Sequence, residues 1–111
     1  MQVKAEQIGA SLVVHLEGEL DLHTVDTFRE MVDQAMKAGR AKNLVLVLSD
    51  VSFIDSSGVG AILGRYKLVA SQGGKMVAVG LRPVAKRVLE MSGVLRLIAT
   101  ADSERRALAR L

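Results

Sequence analysis

Residues Asn43 to Lys67, NLVLVLSDVSFIDSSGVGAILGRYK, restrict the fold of this chain more than any other stretch. Leu44 to Leu48 is an unbroken apolar run of five, two of them β-branched, as in a central strand covered on both faces. Asp50 to Ser57 then carries mostly short polar side chains and reads as a loop ending in a helix cap. From there, Val59, Ile62, Leu63, Tyr66, Val69 and Ala70 fall at the spacing of one helical face.

Two features of that helix go beyond simple packing. Gly58, Gly60 and Gly64 stand in its first turns, and each interior glycine costs roughly 0.5–1 kcal/mol against alanine. Either the helix packs closely on the strand, or a partner or ligand lies against its bare start. The second feature is Asp55-Ser56-Ser57-Gly58, three good capping residues in a row where one suffices. Redundant capping accounts for them. So does a modifiable hydroxyl: a phosphate on Ser56 would sit beside the free N–H groups and the positive helix end, adding about −1.5 to −2 charges next to Asp55.

With 111 residues, half of them hydrophobic, the whole chain (1–111) is expected to form one domain around one core. There is no cysteine, hence no disulfide framework or thiolate metal site. No apolar run approaches the roughly 18 residues of a membrane span, and MQVKAEQIGA has no signal-peptide core. The expectation is a soluble, cytoplasmic protein with no membrane role. The net charge of +3 includes a late cluster of Lys86, Arg87, Arg96, Arg105, Arg106 and Arg110. With one Tyr, two Phe and no Trp, the chain lacks stacking platforms, so these charges read as solvated surface rather than a nucleic-acid face.

Along the chain, Val3 to Ile8 and Ser11 to Gly18 flank Gly9-Ala10 as an antiparallel pair. In the second strand Leu12, Val14 and Leu16 share one face, and Val13, His15 and Glu17 the other, with His15 outward. A loop through Asp21, Leu22 and His23 leads to Thr24, the expected N-cap of a helix carrying Val25, Phe28, Val32, Ala35 and Met36 and ending near Gly39. Asp21, His23 and Thr24 thus gather at the carboxyl end of a strand, where open α/β sheets place their sites; loop solvation explains them as well. After Gly73-Gly74 come a short strand over Met76 to Val79 and a helix opened by Pro83, with Val84, Val88 and Leu89 inward and Gly93 as terminator. Val94 to Ile98 reads as a last strand or partly a loop. Asp102 or Ser103 then caps a final helix with Ala107, Leu108 and Leu111 inward. The order ββαβαβαβα predicts an α/β domain with a small mixed sheet of four to five strands and about four helices.

Enzyme chemistry finds little support. A serine hydrolase needs a histidine base and a strained elbow, but only His15 and His23 are present and Gly-x-Ser-x-Gly is not. Gly58-x-Gly60-x-x-x-Gly64 departs from the dinucleotide fingerprint by one residue, with no ribose-binding acid and no Walker lysine, which leaves at most a weak nucleotide contact. No His/Asp/Glu group has metal-ligand spacing. No catalytic residue, metal or cofactor is expected.

Gly18-Glu-Leu-Asp21, Asp55-Ser-Ser-Gly-Val-Gly60, Leu63-Gly-Arg-Tyr-Lys67, Gly73-Gly-Lys-Met76 and Met91-Ser-Gly93 together resemble the STAS domains of bacterial anti-sigma factor antagonists, closest to the sporulation type, over about Val3 to Leu108. The resemblance implies a non-enzymatic partner switch. The unphosphorylated antagonist would bind an anti-sigma factor that is also a serine kinase, with ATP or ADP on the kinase, and free a sporulation sigma factor. Phosphorylation would end that binding, and a metal-dependent, PP2C-type serine phosphatase would restore it. Carried onto this chain, the phosphorylated residue is Ser56, with Ser57 as the alternative. Asp21, Leu22, His23 and Thr24 would face the kinase, with Asp55 setting the loop and local charge. Ser57, Gly58, Gly60, Ala61, Gly64 and Arg65 would complete the docking face. The same fold serving a general stress pathway, or a nucleotide-sensing STAS module, are the alternatives.

Overall fold

The computed structural model describes residues 1–111. The elements are β1 (Gln2–Ile8), β2 (Ser11–Leu20), α1 (Val25–Gly39), β3 (Asn43–Ile54), α2 (Ser56–Ser71), β4 (Met76–Val79), α3 (Pro83–Ser92), β5 (Ala99–Ala101) and α4 (Glu104–Ala109). One five-stranded sheet runs β1-β2-β3-β4-β5. β1 is antiparallel to β2 and every later pair is parallel, the expected mixed α/β sheet.

The apolar run in β3 divides by parity. Leu44, Leu46 and Leu48 join Leu12, Val14 and Leu16 under α1, α2 and α3, while Val45 and Val47 join Val13, Val77 and Val79 under Ala107 of α4. All five residues of the run are buried because both faces of the strand are covered. The two faces are unequally dressed: three crossover helices pack on one, a single short helix on the other.

β3 continues to Ile54, beyond the loop expected from Asp50, and β2 reaches Leu20. The pairing shifts register between His15 and Glu17 and again between Gly18 and Glu19. At each shift β3 takes up one more residue than β2. Its inward positions therefore pass from alternate residues, 44, 46 and 48, to every third, Val51 and Ile54, and Ser49, Asp50 and Ser52 turn to solvent. In sequence that spacing imitates a loop.

α1 ends at Gly39 as expected; beyond it, one stretch and one helix face differ from expectation. Arg40, at φ 53°, provides the left-handed turn after α1, because Gly39 is held in the last helical turn where the Gln7 amide donates to its carbonyl at 2.8 Å. Val94 to Ile98 is not a strand. Gly93, at φ 86°, turns the chain into a 3-10 turn at Val94–Arg96, closed by bonds from the Leu97 and Ile98 amides to the Val94 carbonyl, and β5 begins at Ala99. In α3 Leu89 is buried and Val88 packs against the core as expected, together with Ala85, whereas Val84 is exposed. Ser103, not Asp102, caps α4 by accepting from the Arg106 amide at 3.2 Å.

Candidate functional site

β2 and β3 end side by side, with Leu20 opposite Ile54. The segments that follow, Asp21 to Thr24 and Asp55 to Ser57, are thereby adjacent, and Asp55 ties them together. Its backbone N–H donates to the Leu20 carbonyl at 3.2 Å. One carboxylate oxygen accepts from the Gly58 amide at 3.0 Å, capping α2, and the other accepts from the Leu22 amide at 3.2 Å. The carboxylate thus serves helix and loop at once, which answers the question posed by three capping residues in a row: Asp55 caps, and neither serine is needed for it.

The first loop is braced from within. Asp21 Oδ1 accepts from the amides of His23 at 2.9 Å and Thr24 at 3.2 Å. Thr24 occupies the N-cap position of α1 but its side chain does not cap. Its hydroxyl donates to the Glu19 carbonyl at 2.7 Å and accepts from the Asp21 amide at 3.0 Å. Thr24 is therefore a loop brace, as is Asp21, and α1 begins without a side-chain cap. Asp21 and Thr24 are half-buried; His23 and Leu22 face solvent.

The docking face expected along α2 splits in two. Ser56, at the first helical position, and Gly60 are exposed, and Gly64 is half-buried; successive steps of four place all three on one side of the helix. A Cβ built on Gly60 or Gly64 meets nothing within 4 Å. Ser57 is half-buried beside this strip. Gly58 and Ala61, by contrast, are buried and offer a partner no surface. A Cβ on Gly58 would run into the Leu20 carbonyl oxygen and stand 2.9 Å from Cγ2 of Ile54. These two residues let the helix start sit down on the ends of β2 and β3.

Arg65 is also turned away from Ser56. Its side chain is 12% exposed, and Nε lies 3.1 Å from Asp33 Oδ1 on α1. The approach is off the N–H axis, so Nε and Nη1 are buried without a hydrogen-bond acceptor and the pair holds by charge alone. Burial pushes the guanidinium pKa down, Asp33 opposes that, and neighbouring Arg29 adds to it. Arg65 is thus a link between α1 and α2, not part of the exposed strip. Lys67, one turn beyond Gly64, is the cation that remains exposed on that side.

Sequence reasoning gave Phe53 no role, yet it is 43% exposed two residues before Asp55, and Leu22 is 68% exposed on the adjoining loop. The signal was the three-residue spacing Leu48, Val51, Ile54, which leaves Phe53 outside the core. Ser56, Gly60 and Gly64 thus offer a free hydroxyl and a strip of bare backbone, next to the base on which Asp55 holds the exposed Leu22 loop.

The STAS domain family matches residues 2–107. The anti-sigma F factor antagonist of Paenibacillus polymyxa is 40% identical over 111 residues, covering 100% of this chain and 95% of that protein. The anti-sigma-B factor antagonist of Bacillus subtilis (strain 168) is 30% identical over 105 residues, 94% of each. Among solved structures, the anti-sigma factor antagonist SpoIIAA in its unphosphorylated form superposes with a TM-score of 0.85 at 29% identity, covering 98% of this chain and 95% of the other. The Bacillus cell fate determinant SpoIIAA in its phosphorylated form gives a TM-score of 0.77 at 29% identity, with 98% of both chains covered. The chain belongs to the STAS domain family.

Proposed function

We propose that this STAS domain is an anti-sigma factor antagonist, switched by phosphorylation of Ser56. Unphosphorylated, it binds an anti-sigma factor with serine kinase activity through the surface around Ser56, Gly60 and Leu22, and so releases a sporulation sigma factor. ATP bound on that kinase supplies the γ-phosphoryl group, the Ser56 hydroxyl oxygen takes it, and ADP stays on the kinase. A PP2C-type phosphatase hydrolyses the ester and restores the hydroxyl.

The observation that carries this reading is that Ser56 is exposed at the first position of α2 while Asp55 alone supplies the cap. The hydroxyl can be esterified without removing a bond that holds the fold. The helix end tolerates the added charge, because its first-turn N–H groups and dipole favour an anion. A docked partner does not: a phosphate brings about −1.5 to −2 charges and three oxygens onto the strip where the partner would approach closely. A charge enclosed without a counter-charge weakens an interface by several kcal/mol. The similarity to antagonists of anti-sigma F and anti-sigma-B factors supports this class of partner. The 30% match to the anti-sigma-B factor antagonist supports a stress-response partner as the second reading.

Incubation with sigma-F-type and sigma-B-type anti-sigma kinases and labelled ATP, followed by peptide mapping, tests both readings. Label on Ser56, lost in Ser56→Ala while that variant still binds the kinase, is the expected result, and the kinase that labels it identifies the pathway. Label on Ser57 alone moves the site by one residue; label on neither serine refutes the switch.

A further inference from the structure

The late basic residues are exposed and scattered in sequence, but not all of them are scattered in space. Lys86 from α3 and Arg106 and Arg110 from the last turns of the chain converge on one groove of about 760 Å³, beside Gly80 and Thr100. The groove opens at the carboxyl ends of β4 and β5, the end of a parallel sheet where ligands bind in open α/β folds. Its size is that of a small-molecule site.

The charge in this groove is unbalanced. Asp102 is the one carboxylate lining it, 3.4 Å from Arg106. Arg110 donates from Nη1 to the Thr100 carbonyl at 2.6 Å, a neutral acceptor that fixes the side chain without cancelling its charge. Lys86 approaches Glu90 only at 3.9 Å, and Glu90 does not line the groove. Three cations therefore face one anion. Leu81, Leu95 and Ala109 add an apolar wall, so the groove offers charge at its rim and a dry surface beside it.

We propose that this groove binds a small phosphorylated metabolite, its phosphate groups taken by Lys86, Arg106 and Arg110 and its organic part laid on Leu81 and Leu95. Three cations on separate turns suit a ligand with two or more negative charges, since a monoanion pairs with one of them and leaves the others as they are. The proposal is independent of the Ser56 switch, because no residue is shared between the two surfaces.

Titration of the isotope-labelled full chain with inorganic pyrophosphate at about 150 mM salt, followed by amide chemical shifts, tests this; at that ionic strength contacts beyond roughly 8 Å are screened. Saturable shifts confined to Gly80, Leu81, Lys86, Ala101 and Arg106 are expected. Arg110→Gln and Lys86→Gln should each weaken binding about fivefold to tenfold, the loss of one charge-assisted contact, with unchanged spectra elsewhere. Ser56→Ala should bind as the unmodified chain does. Non-saturating shifts that follow ionic strength, or equal affinity in the Arg110→Gln and Lys86→Gln variants, would mean an adventitious ion only and overturn the proposal.

Discussion

The two sides of α2 are built from the same residue type for opposite ends. On the inner side Gly58 has no room for a side chain, because the Leu20 carbonyl oxygen stands where a Cβ would go. On the outer side Gly60 and Gly64 have open space and no structural need to be glycine. The inner glycine is explained by folding alone. The outer two lower helix stability without any return inside the chain, and the proposed partner surface beside Ser56 would supply that return. On this proposal the two sides of the helix serve fold and partner separately, and substitutions on them should behave differently.

Gly58→Ala is the severest test of the inner side. It should destabilise the domain by about 2–3 kcal/mol, since a methyl forced against backbone overpacks the site, read as a lower urea midpoint with unchanged slope. A wild-type midpoint would remove the packing argument. Ser56→Asp addresses the outer side: the fold should hold within about 0.5 kcal/mol, while affinity for the anti-sigma factor falls roughly tenfold to a hundredfold, about 1.4–2.8 kcal/mol. Isothermal titration beside thermal unfolding separates the two effects.

Asp55 joins both sides. Asp55→Ala should cost about 1–2 kcal/mol of stability through loss of the cap and of the Leu22 contact. Asp55→Asn should recover the cap portion, because an amide oxygen also accepts from the Gly58 amide. Equal losses in the two variants would show that the Leu22 contact, not the cap, dominates. The smallest effect sharpens the comparison most. Gly60→Ala should stabilise the chain by about 0.5–1 kcal/mol and yet weaken partner binding. A variant more stable and equally well bound would return Gly60 to the category of neutral surface.

Much of this could be read from the residues because several local signals agree with the tertiary structure. The alternation of Leu12 to Leu16, the apolar run of β3, Pro83 and Gly93 each specify one element and are found there. The Asp-Ser-Ser motif likewise marks the start of α2. What was not legible depended on neighbours. The two register shifts between β2 and β3 convert a strand into a loop-like spacing, so Phe53 and its exposure were missed. Thr24 has the right chemistry for a cap, but its hydroxyl oxygen accepts from the Asp21 amide while its proton goes to the Glu19 carbonyl. Arg65 belongs to a motif that looked like docking surface, and only the packing of α1 on α2 shows that it turns toward Asp33. On α3, Val88 and Leu89 pack on the core as expected, but Ala85 and not Val84 is the buried residue of the first turn.

The account rests most directly on the charge state of one hydroxyl. Its decisive measurement is the affinity of the anti-sigma factor for two preparations of the full chain, one unmodified and one carrying phosphoserine at position 56 introduced during synthesis. Loss of binding by at least about a hundredfold, close to 2.8 kcal/mol, with the two preparations equally folded, is the predicted result. Equal affinity in both would contradict it.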